Sequence, residues 1–218
     1  MNRFTKSIAI LVLISWVTAC SVVQSLQGTG EQSAQPDADV QTDIEQLISV
    51  PDRFLNDYNQ VLALISGEYY DQAEAELFSL IEVYPEYSGP WVNLAIVYLK
   101  TGDDDQVVPT LEAALQINPD NIDACNLLAI EYRKLGQFDK AEGLYLHAIE
   151  LSPEDAMSHL NVAILYDLYM GNWQQALTRY ESYRSYEDDD RYNPRVDGWI
   201  VDLERRIERR IEGQEQKG

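Results

Sequence analysis

The side chains of this sequence that most readily serve as nucleophiles, general bases or metal ligands are two histidines and two cysteines. They are His147, His159, Cys20 and Cys125. None of them stands in an HExxH, CxxC or GxSxG pattern, and the sequence has no glycine-rich phosphate loop. The sequence therefore predicts no catalytic residues, no metal site and no cofactor, and we expect a protein that is not an enzyme.

The acidic run 103–105 is the other cluster that could bind an ion, because carboxylates are calcium ligands. The run lacks the alternating ligands and the glycine of a calcium loop. Acidic residues are favourable in the first turn of a helix, so the run predicts a helix start. Cys125 falls at a packing position of a predicted helix, which favours a buried, inert thiol over a nucleophile.

Cys20 ends an apolar segment, which suggests attachment rather than catalysis. Residues 8–17 are apolar except for Ser15, and they follow the basic residues Arg3 and Lys6. The segment is shorter than the roughly 20 residues that cross a bilayer. A basic start followed by an apolar segment of this length is typical of a secretory signal peptide. In the plainest alternative, this is an ordinary signal peptide or membrane anchor and the cysteine is coincidental.

The residues VTAC at 17–20 resemble the lipobox of bacterial lipoproteins, in which an aliphatic and two small residues precede a cysteine. The resemblance implies that residues 1–19 are removed and that Cys20 carries the lipid. Ser21 resembles the outer-membrane sorting signal of such proteins. It implies a lipid-anchored protein on the periplasmic face of the outer membrane of a Gram-negative bacterium. The polar stretch 20–41 predicts a flexible tether.

The charge of the chain is strongly acidic and unevenly distributed. There are 37 acidic and 16 basic residues, for a net charge of −21. Residues 20–190 hold 31 acids and 7 bases, whereas residues 191–218 hold 6 acids and 7 bases. Nucleic-acid binding needs a basic footprint, so we expect no nucleic-acid partner. Nothing in the sequence indicates a small-molecule substrate. The acidic body favours a partner with a basic segment, or serves solubility alone.

Two consecutive windows of 34 residues, 88–121 and 122–155, align without a gap. In each window the apolar spacing predicts two helices. A glycine between them predicts a turn with positive φ, and a proline closes each window. The matched pairs are Leu94 and Leu128, Ala95 and Ala129, Tyr98 and Tyr132, Gly102 and Gly136, Ala114 and Ala148, and Pro119 and Pro153.

This pattern resembles the tetratricopeptide repeat, whose first and second helices are called A and B. The resemblance implies an all-α protein, a right-handed α-solenoid whose concave face is lined mainly by A helices and holds a peptide or a partner helix. About four repeats are predicted in a domain spanning 54–190, after a helical lead-in at 42–53. Their approximate bounds are 54–87, 88–121, 122–155 and 156–190, with a one-residue insertion before Gly171.

A capping helix is predicted within residues 191–218. Ile200, Leu203, Ile207 and Ile211 form one apolar stripe at helical spacing. Four arginines lie away from this stripe. They form either a solvated face or a basic handle for the anionic envelope or an acidic partner, and they are Arg205, Arg206, Arg209 and Arg210.

The resemblance also implies which residues hold the partner. In the tetratricopeptide family the sixth position of helix A often carries an asparagine that bonds a bound peptide. Here Asn93 and Asn161 fill this position, with Leu127 between them. The lysine and arginine clamp of chaperone adaptors is absent, because Asp123 and Met157 take the lysine position.

Six further residues are candidates for the groove. The basic ones are alternatively ordinary cations at helix C-termini, which the helix dipole favours, and the apolar ones are alternatively core residues. They are Lys100, Arg133, Lys134, Val92, Ile96 and Ile130.

Together these features predict a membrane-anchored periplasmic scaffold that binds a segment of another envelope protein. The architecture is similar to that of lipoproteins that escort pilus secretins or organise transport and envelope-assembly machines. The alternative is an adaptor or regulator of an envelope protease or cell-wall hydrolase.

Overall fold

The computed structural model describes residues 50–187 and 191–215. Every regular element of these residues is helical. The predictions for Cys20, for the tether at 20–41 and for the lead-in up to residue 49 lie outside the described residues. In chain order the helices are α1 Asp52–Ser66, α2 Tyr70–Val83, α3 Gly89–Thr101, α4 Asp104–Ile117, α5 Ile122–Lys134, α6 Phe138–Leu151, α7 Ala156–Leu165 with a π-helical turn Tyr166–Met170, α8 Trp173–Tyr186 and α9 Arg195–Glu215.

The first eight helices form four successive pairs, and each helix packs against the next one in the chain. Helices α5 and α7 also contact each other, so A helices of successive pairs line one side of the array. This arrangement is the predicted α-solenoid. No helix of the described ranges 50–187 and 191–215 is both long and apolar enough to cross a membrane.

Small residues repeated at 34-residue spacing let the helices approach closely. Ala95, Ala129 and Ala163 occupy equivalent positions on α3, α5 and α7, and none has measurable solvent exposure. The core also holds large aliphatic and aromatic side chains, among them Leu94, Leu111 and Tyr145. Because each pair exposes apolar surface that only the next pair covers, the core runs continuously along the array.

The turns within the pairs confirm the prediction of positive φ at the glycines. Gly102, Gly136 and Gly171 have φ of 86°, 74° and 67°. After each glycine, the next amide donates a hydrogen bond back to a tyrosine carbonyl, which satisfies one of the free carbonyls at the helix end. The N···O distances are 3.0 Å for Asp103 to Tyr98, 2.8 Å for Gln137 to Tyr132 and 2.9 Å for Asn172 to Tyr166.

The one-residue insertion before Gly171 is accommodated inside the helix. Residues Tyr166–Met170 form a single π-helical turn at the end of α7. A π turn bonds each amide one residue further back than an α-helix does, so it holds one more residue in the same place. The amide of Gly171 accordingly bonds the carbonyl of Tyr166, five residues earlier.

Helix α9 packs against α8 and closes the end of the array. Ile200 and Leu203 are buried as predicted, together with Val196. The predicted stripe lies on one face of α9, and its last residue, Ile211, is 51% exposed. The C-terminal turns of α9 pass the start of α8 at Trp173, where residues of both helices line an open cleft.

Candidate protein-binding groove

A groove of about 570 Å³ runs along the A helices. Its walls come from α1, α3, α5 and α7, together with the residues that precede α5 and α7. The lining residues are Tyr58, Leu62, Gly89, Val92, Asn93, Ile96, Asn121, Asp123, Asn126, Leu127, Ile130, Asp155, Met157 and Asn161.

The floor of the groove is apolar. Val92 and Ile96 lie one turn apart on α3, and Leu127 and Ile130 do the same on α5, so both helices turn apolar side chains to one side. The Met157 side chain on α7 is 48% exposed. A methionine in this position is an adaptable apolar contact for a ligand.

A hydrogen-bonded cluster fixes the polar wall between α5 and α7. The Nδ2 amide of Asn126 donates to Ser158 Oγ at 2.7 Å. The Asp155 carboxylate caps α7 by accepting a bond from the Ser158 amide at 2.8 Å. These bonds hold the two A helices in a fixed relation across the groove.

The two predicted asparagines lie in the groove but differ in their bonding. Asn93 donates from Nδ2 to the Tyr58 hydroxyl and to the Gly89 carbonyl, the latter at 3.3 Å. Asn161 is 9% exposed, and no residue of the described chain bonds its side-chain amide. The amide is open to the groove rather than sealed in the core, so Asn161 offers both a donor and an acceptor to a ligand.

The charge of the groove is negative. Asp123 and Asp155 line it, and no lysine or arginine is among the lining residues of the described chain. Burial raises the pKa of Tyr58, and the nearby Asp123 carboxylate raises it further. This second effect reflects the negative potential in the groove.

The three basic candidates do not join these residues. Lys100 and Lys134 lie on exposed final turns of α3 and α5, past Ile96 and Ile130, where the lining of the groove ends. Lys134 pairs with Glu131 at 2.7 Å. The Arg133 guanidinium lies 5.7 Å from the centre of the Tyr169 ring, directed toward α7.

Cys125 and His159, whose side chains could act as a nucleophile or a base, pack inside the repeats instead. Cys125 is fully buried, and burial raises the pKa of its thiol to about 11, with a smaller contribution from Asp120. Cys125 and His159 occupy the same repeat position. The Cys125 thiol bonds the Pro119 carbonyl at 3.7 Å, and the His159 Nε2 atom bonds the equivalent Pro153 carbonyl at 2.9 Å.

Each histidine is in direct contact with one charged side chain, and neither histidine lines the groove. Burial lowers the pKa of His159, whose Nδ1 atom lies 3.4 Å from Arg179. The His147 ring contacts Asp120 at 3.2 Å at a half-exposed position. Within the described residues no group of three or more histidine, cysteine or acidic side chains could hold a metal ion. The run 103–105 is confirmed as a helix start, because α4 begins at Asp104.

Sequence reasoning did not predict the other lining residues as contacts, among them Tyr58 and Asn126. Asn126 could have been found, because it stands 34 residues after Val92 and therefore on the same face of its A helix. Tyr58 carried no such signal, since the A helix of the first pair lacks the repeat residues. Asp123 and Met157 were considered only as failed clamp positions, and Leu127 only as the residue between the two asparagines, although all three line the groove.

Comparison with known sequences supports the repeat assignment. The model of the tetratricopeptide repeat family matches residues 105–160. Human Superkiller complex protein 3 is 29% identical over 108 residues, which are 50% of this chain and 7% of that protein. Anaphase-promoting complex subunit 3 of Schizosaccharomyces pombe is 26% identical over 98 residues, 45% of this chain and 15% of that protein. The chain therefore spans only a small part of these relatives.

Solved structures support the fold over a larger part of the chain. PilF of Pseudomonas aeruginosa has a TM-score of 0.62 at 18% identity, covering 74% of this chain and 72% of that one. MamA of Desulfovibrio magneticus has a TM-score of 0.59 at 14% identity, covering 73% and 88%. YrrB, described as a repeat protein with an unusual peptide-binding site, has a TM-score of 0.51 at 20% identity, covering 61% and 68%. The described chain is thus an α-solenoid of tetratricopeptide helix pairs.

Proposed function

We propose that this tetratricopeptide repeat protein is a membrane-anchored scaffold that holds a segment of another cell-envelope protein in its A-helix groove. Tetratricopeptide repeats mediate protein–protein interactions, and such scaffolds are in general not catalytic. The partner segment carries apolar side chains and at least one basic side chain. The partner belongs to a pilus, secretion or transport complex whose assembly the scaffold aids.

The unsatisfied amide of Asn161 carries this proposal. It lies beside the apolar floor, where a peptide backbone would supply the carbonyl and amide that it lacks. The floor residues Val92, Leu127 and Ile130 give burial to apolar side chains of the peptide. A polypeptide segment offers a backbone carbonyl, a backbone amide and apolar side chains together.

The preference for a basic side chain rests on the acidic wall. Asp123 and Asp155 line the groove with no lining cation in the described chain to offset them. An acidic ligand segment would therefore be repelled, and a basic one would be attracted before contact. The similar repeat protein YrrB has a peptide-binding site of its own. A corresponding role for this chain is part of the proposal.

The membrane anchor is supported by the sequence around Cys20. The segment 17–20 has the order of side chains found in a lipobox. Acyl chains on this cysteine, each contributing about 0.8 kcal/mol per buried methylene group, would hold the protein on the bilayer. The outer-membrane location follows from the same sequence through Ser21 and is proposed with it.

Site-specific photo-crosslinking in cells tests the groove. A photoreactive amino acid replaces Leu127 in the groove or, as the matched control, Gly143 on α6, where an added Cβ meets no atom within 4 Å. We expect one dominant envelope partner from position 127 and none from position 143. Equal capture at both positions would refute the groove. A protease or cell-wall hydrolase as the partner would select the adaptor alternative.

Cell fractionation tests the anchor independently of the groove. The Cys20→Ser chain should leave the membrane fraction, whereas the Cys125→Ser chain should remain there. Retention of the Cys20→Ser chain in the membrane would contradict lipidation and would leave the crosslinking result unaffected.

A further inference from the structure

The charged residues of α9 are segregated on its two flanks. At 100° per residue, four arginines fall within an arc of about 140°, and four glutamates within an arc of about 80° on the opposite side of the apolar stripe. The helix therefore has one mainly basic flank, in which Asp202 pairs with Arg206, and one acidic flank. The arginines are Arg205, Arg206, Arg209 and Arg210, and the glutamates are Glu204, Glu208, Glu212 and Glu215.

The arginine flank faces the turn between α7 and α8. Arg206 and Arg210 lie 5.3 Å and 5.5 Å from the centre of the Trp173 ring. Arg206 also reaches Asp167 on the π turn at 2.7 Å. Beside these groups, Trp173, Arg210 and Ile211 help to line an open cleft of about 360 Å³. The last turns of α9 and the first turn of α8 thus share one surface.

Large apolar side chains protrude at the same turn. Leu168 is 67% exposed and Tyr169 is 48% exposed. The Tyr169 ring packs on Phe138 at 5.4 Å and receives the Arg133 guanidinium at 5.7 Å. We call the combined surface the basic edge and define it by Arg133, Phe138, Leu168, Tyr169, Trp173, Arg205, Arg209, Arg210 and Ile211.

The basic edge contrasts with the rest of the protein. The chain has a net charge of −21, and the equivalent turn between α3 and α4 carries the acidic run 103–105. Arg205, Arg209 and Arg210 form no ion pair with any residue of the described chain. Their charges are therefore available to an anionic partner.

We propose that the basic edge is a membrane-contacting surface that binds anionic phospholipid headgroups. Tryptophan, tyrosine and arginine together with protruding aliphatic residues are the side chains enriched at the membrane–water interface. The protruding leucine and tyrosine suit a deformable headgroup layer, whereas a folded protein would need a matching cavity. The acidic surfaces of the described residues 50–187 and 191–215 are repelled by the same headgroups, which favours an orientation with the basic edge toward the bilayer.

The geometry of the chain permits this contact. Residues 20–49 reach at most about 100 Å when fully extended. Helix α1, at 15 residues, is about 22 Å long. A chain held at Cys20 can therefore place the basic edge on the bilayer that holds it. The groove is formed by other residues and remains free for its own partner.

Tryptophan quenching by brominated lipids tests the proposal. The full chain, with Cys20→Ser and an N-terminal histidine tag, is held on vesicles by a nickel-chelating lipid, so the result does not depend on lipidation. Trp16, Trp91 and Trp199 are changed to Phe, so that Trp173 is the reporter. A matched chain keeps Trp91 instead. The vesicles contain brominated phosphatidylcholine with or without phosphatidylglycerol.

We expect quenching of Trp173 and not of Trp91, and only on vesicles with phosphatidylglycerol. Each arginine near an anionic surface contributes about fivefold. Arg205→Gln, Arg209→Gln and Arg210→Gln together should therefore weaken the contact on the order of a hundredfold. Salt at about 1 M should abolish it. Circular dichroism checks that the triple variant stays folded, as expected of residues with no ion pair.

Three results would overturn the proposal. Absence of Trp173 quenching would show that the edge does not reach the bilayer, and equal quenching on neutral vesicles would remove the role of charge. The edge would be assigned to a protein partner if an acidic protein or a second copy of the chain shielded Trp173 from a soluble fluorescence quencher in the absence of vesicles.

Discussion

The side-chain amide of Asn93 donates a hydrogen bond to the Tyr58 hydroxyl and so ties α3 to α1, whereas no residue of the described chain bonds the equivalent amide of Asn161. Asn93 and Asn161 occupy the same repeat position, but Asn93 stabilises the fold, whereas the amide of Asn161 is free to bind a ligand. The two asparagines should respond differently to substitution.

Asn161→Ala should weaken binding of the partner segment about five- to thirtyfold, because a lost hydrogen bond in a buried site is worth about 1–2 kcal/mol. It should leave the free energy of unfolding nearly unchanged. Asn93→Ala should lower that free energy by about 1 kcal/mol through the lost bond to Tyr58. Urea unfolding measures the effect on stability, and titration with the partner segment that crosslinking identifies measures the effect on binding. Equal stability losses in both variants would contradict the difference.

Two glycines form a matched pair for a test of the turns. Gly136 has φ of 74°, and Gly136→Ala should cost about 1–2 kcal/mol because a Cβ is unfavourable there. Gly143 lies inside α6 with nothing within 4 Å of an added Cβ, and Gly143→Ala should stabilise by about 0.5–1 kcal/mol. Thermal unfolding measures both. A stabilising Gly136→Ala would show that the turn does not need its glycine.

Stability should fall at alkaline pH because of buried tyrosines. Burial raises the pKa of Tyr132 to about 12, helped by its 2.7 Å bond to Glu112. The unfolded chain releases this proton near pH 10. The stabilisation is complete below about pH 10 and is lost as the pH rises toward about 12.

Urea unfolding across this alkaline range measures that slope. Tyr132→Phe should make the slope shallower, because one proton fewer is linked to unfolding. Tyr69→Phe is the control, since Tyr69 is 60% exposed and its hydroxyl bonds no residue of the described chain. An identical slope in the Tyr132→Phe chain would disprove the assignment.

The ion pair between Asp167 and Arg206 fastens the capping helix to the π turn. The Asp167 side chain is 6% exposed, and Arg206 also pairs with Asp202 at 3.0 Å. Asp167→Ala should lower the free energy of unfolding by roughly 1.5–3 kcal/mol, the range for a hydrogen bond to a charged group. Asp202→Ala should cost less than about 1 kcal/mol, because that carboxylate is exposed.

Hydrogen exchange of α9 amides distinguishes local from global loss. In the Asp167→Ala chain, exchange should quicken in α9 before it does in α5. Unchanged protection of α9 would mean that the apolar contacts of Ile200 and Leu203 alone hold the cap.

The solenoid could be predicted because its determinants are local and repeated. Ala95 and Ala129 mark the close helix contacts, and Gly102 and Gly136 mark the turns. Both features therefore occur twice in the same order. Each unit interacts mainly with its neighbours, so one repeat determines the next. Position within the 34-residue frame predicted a shared face for Val92, Ile96, Ile130 and both asparagines, and these five residues line one cavity along the A helices.

The other features of the site could not be predicted, because they depend on contacts between different repeats and on helix length. The bond between Asn93 and Tyr58 joins two repeats, and the first of them lacks the pattern. Lys100 and Lys134 lie on the predicted face but beyond the end of the groove, which depends on helix length and not on periodicity. The segregation of charge on α9 matters only through Trp173, a residue of another helix.

The π turn at Tyr166–Met170 lets this repeat be one residue longer without moving the start of the next helix relative to its glycine. Despite the extra residue, α8 begins two residues after its glycine and spans 14 residues, as α4 and α6 do. The extra residue is stored within one helical turn, and the loop that follows keeps its length. Alignment gaps between repeats of this kind therefore need not mark loops. A bioengineer joining this unit to other arrays could keep the insertion without adjusting the junction.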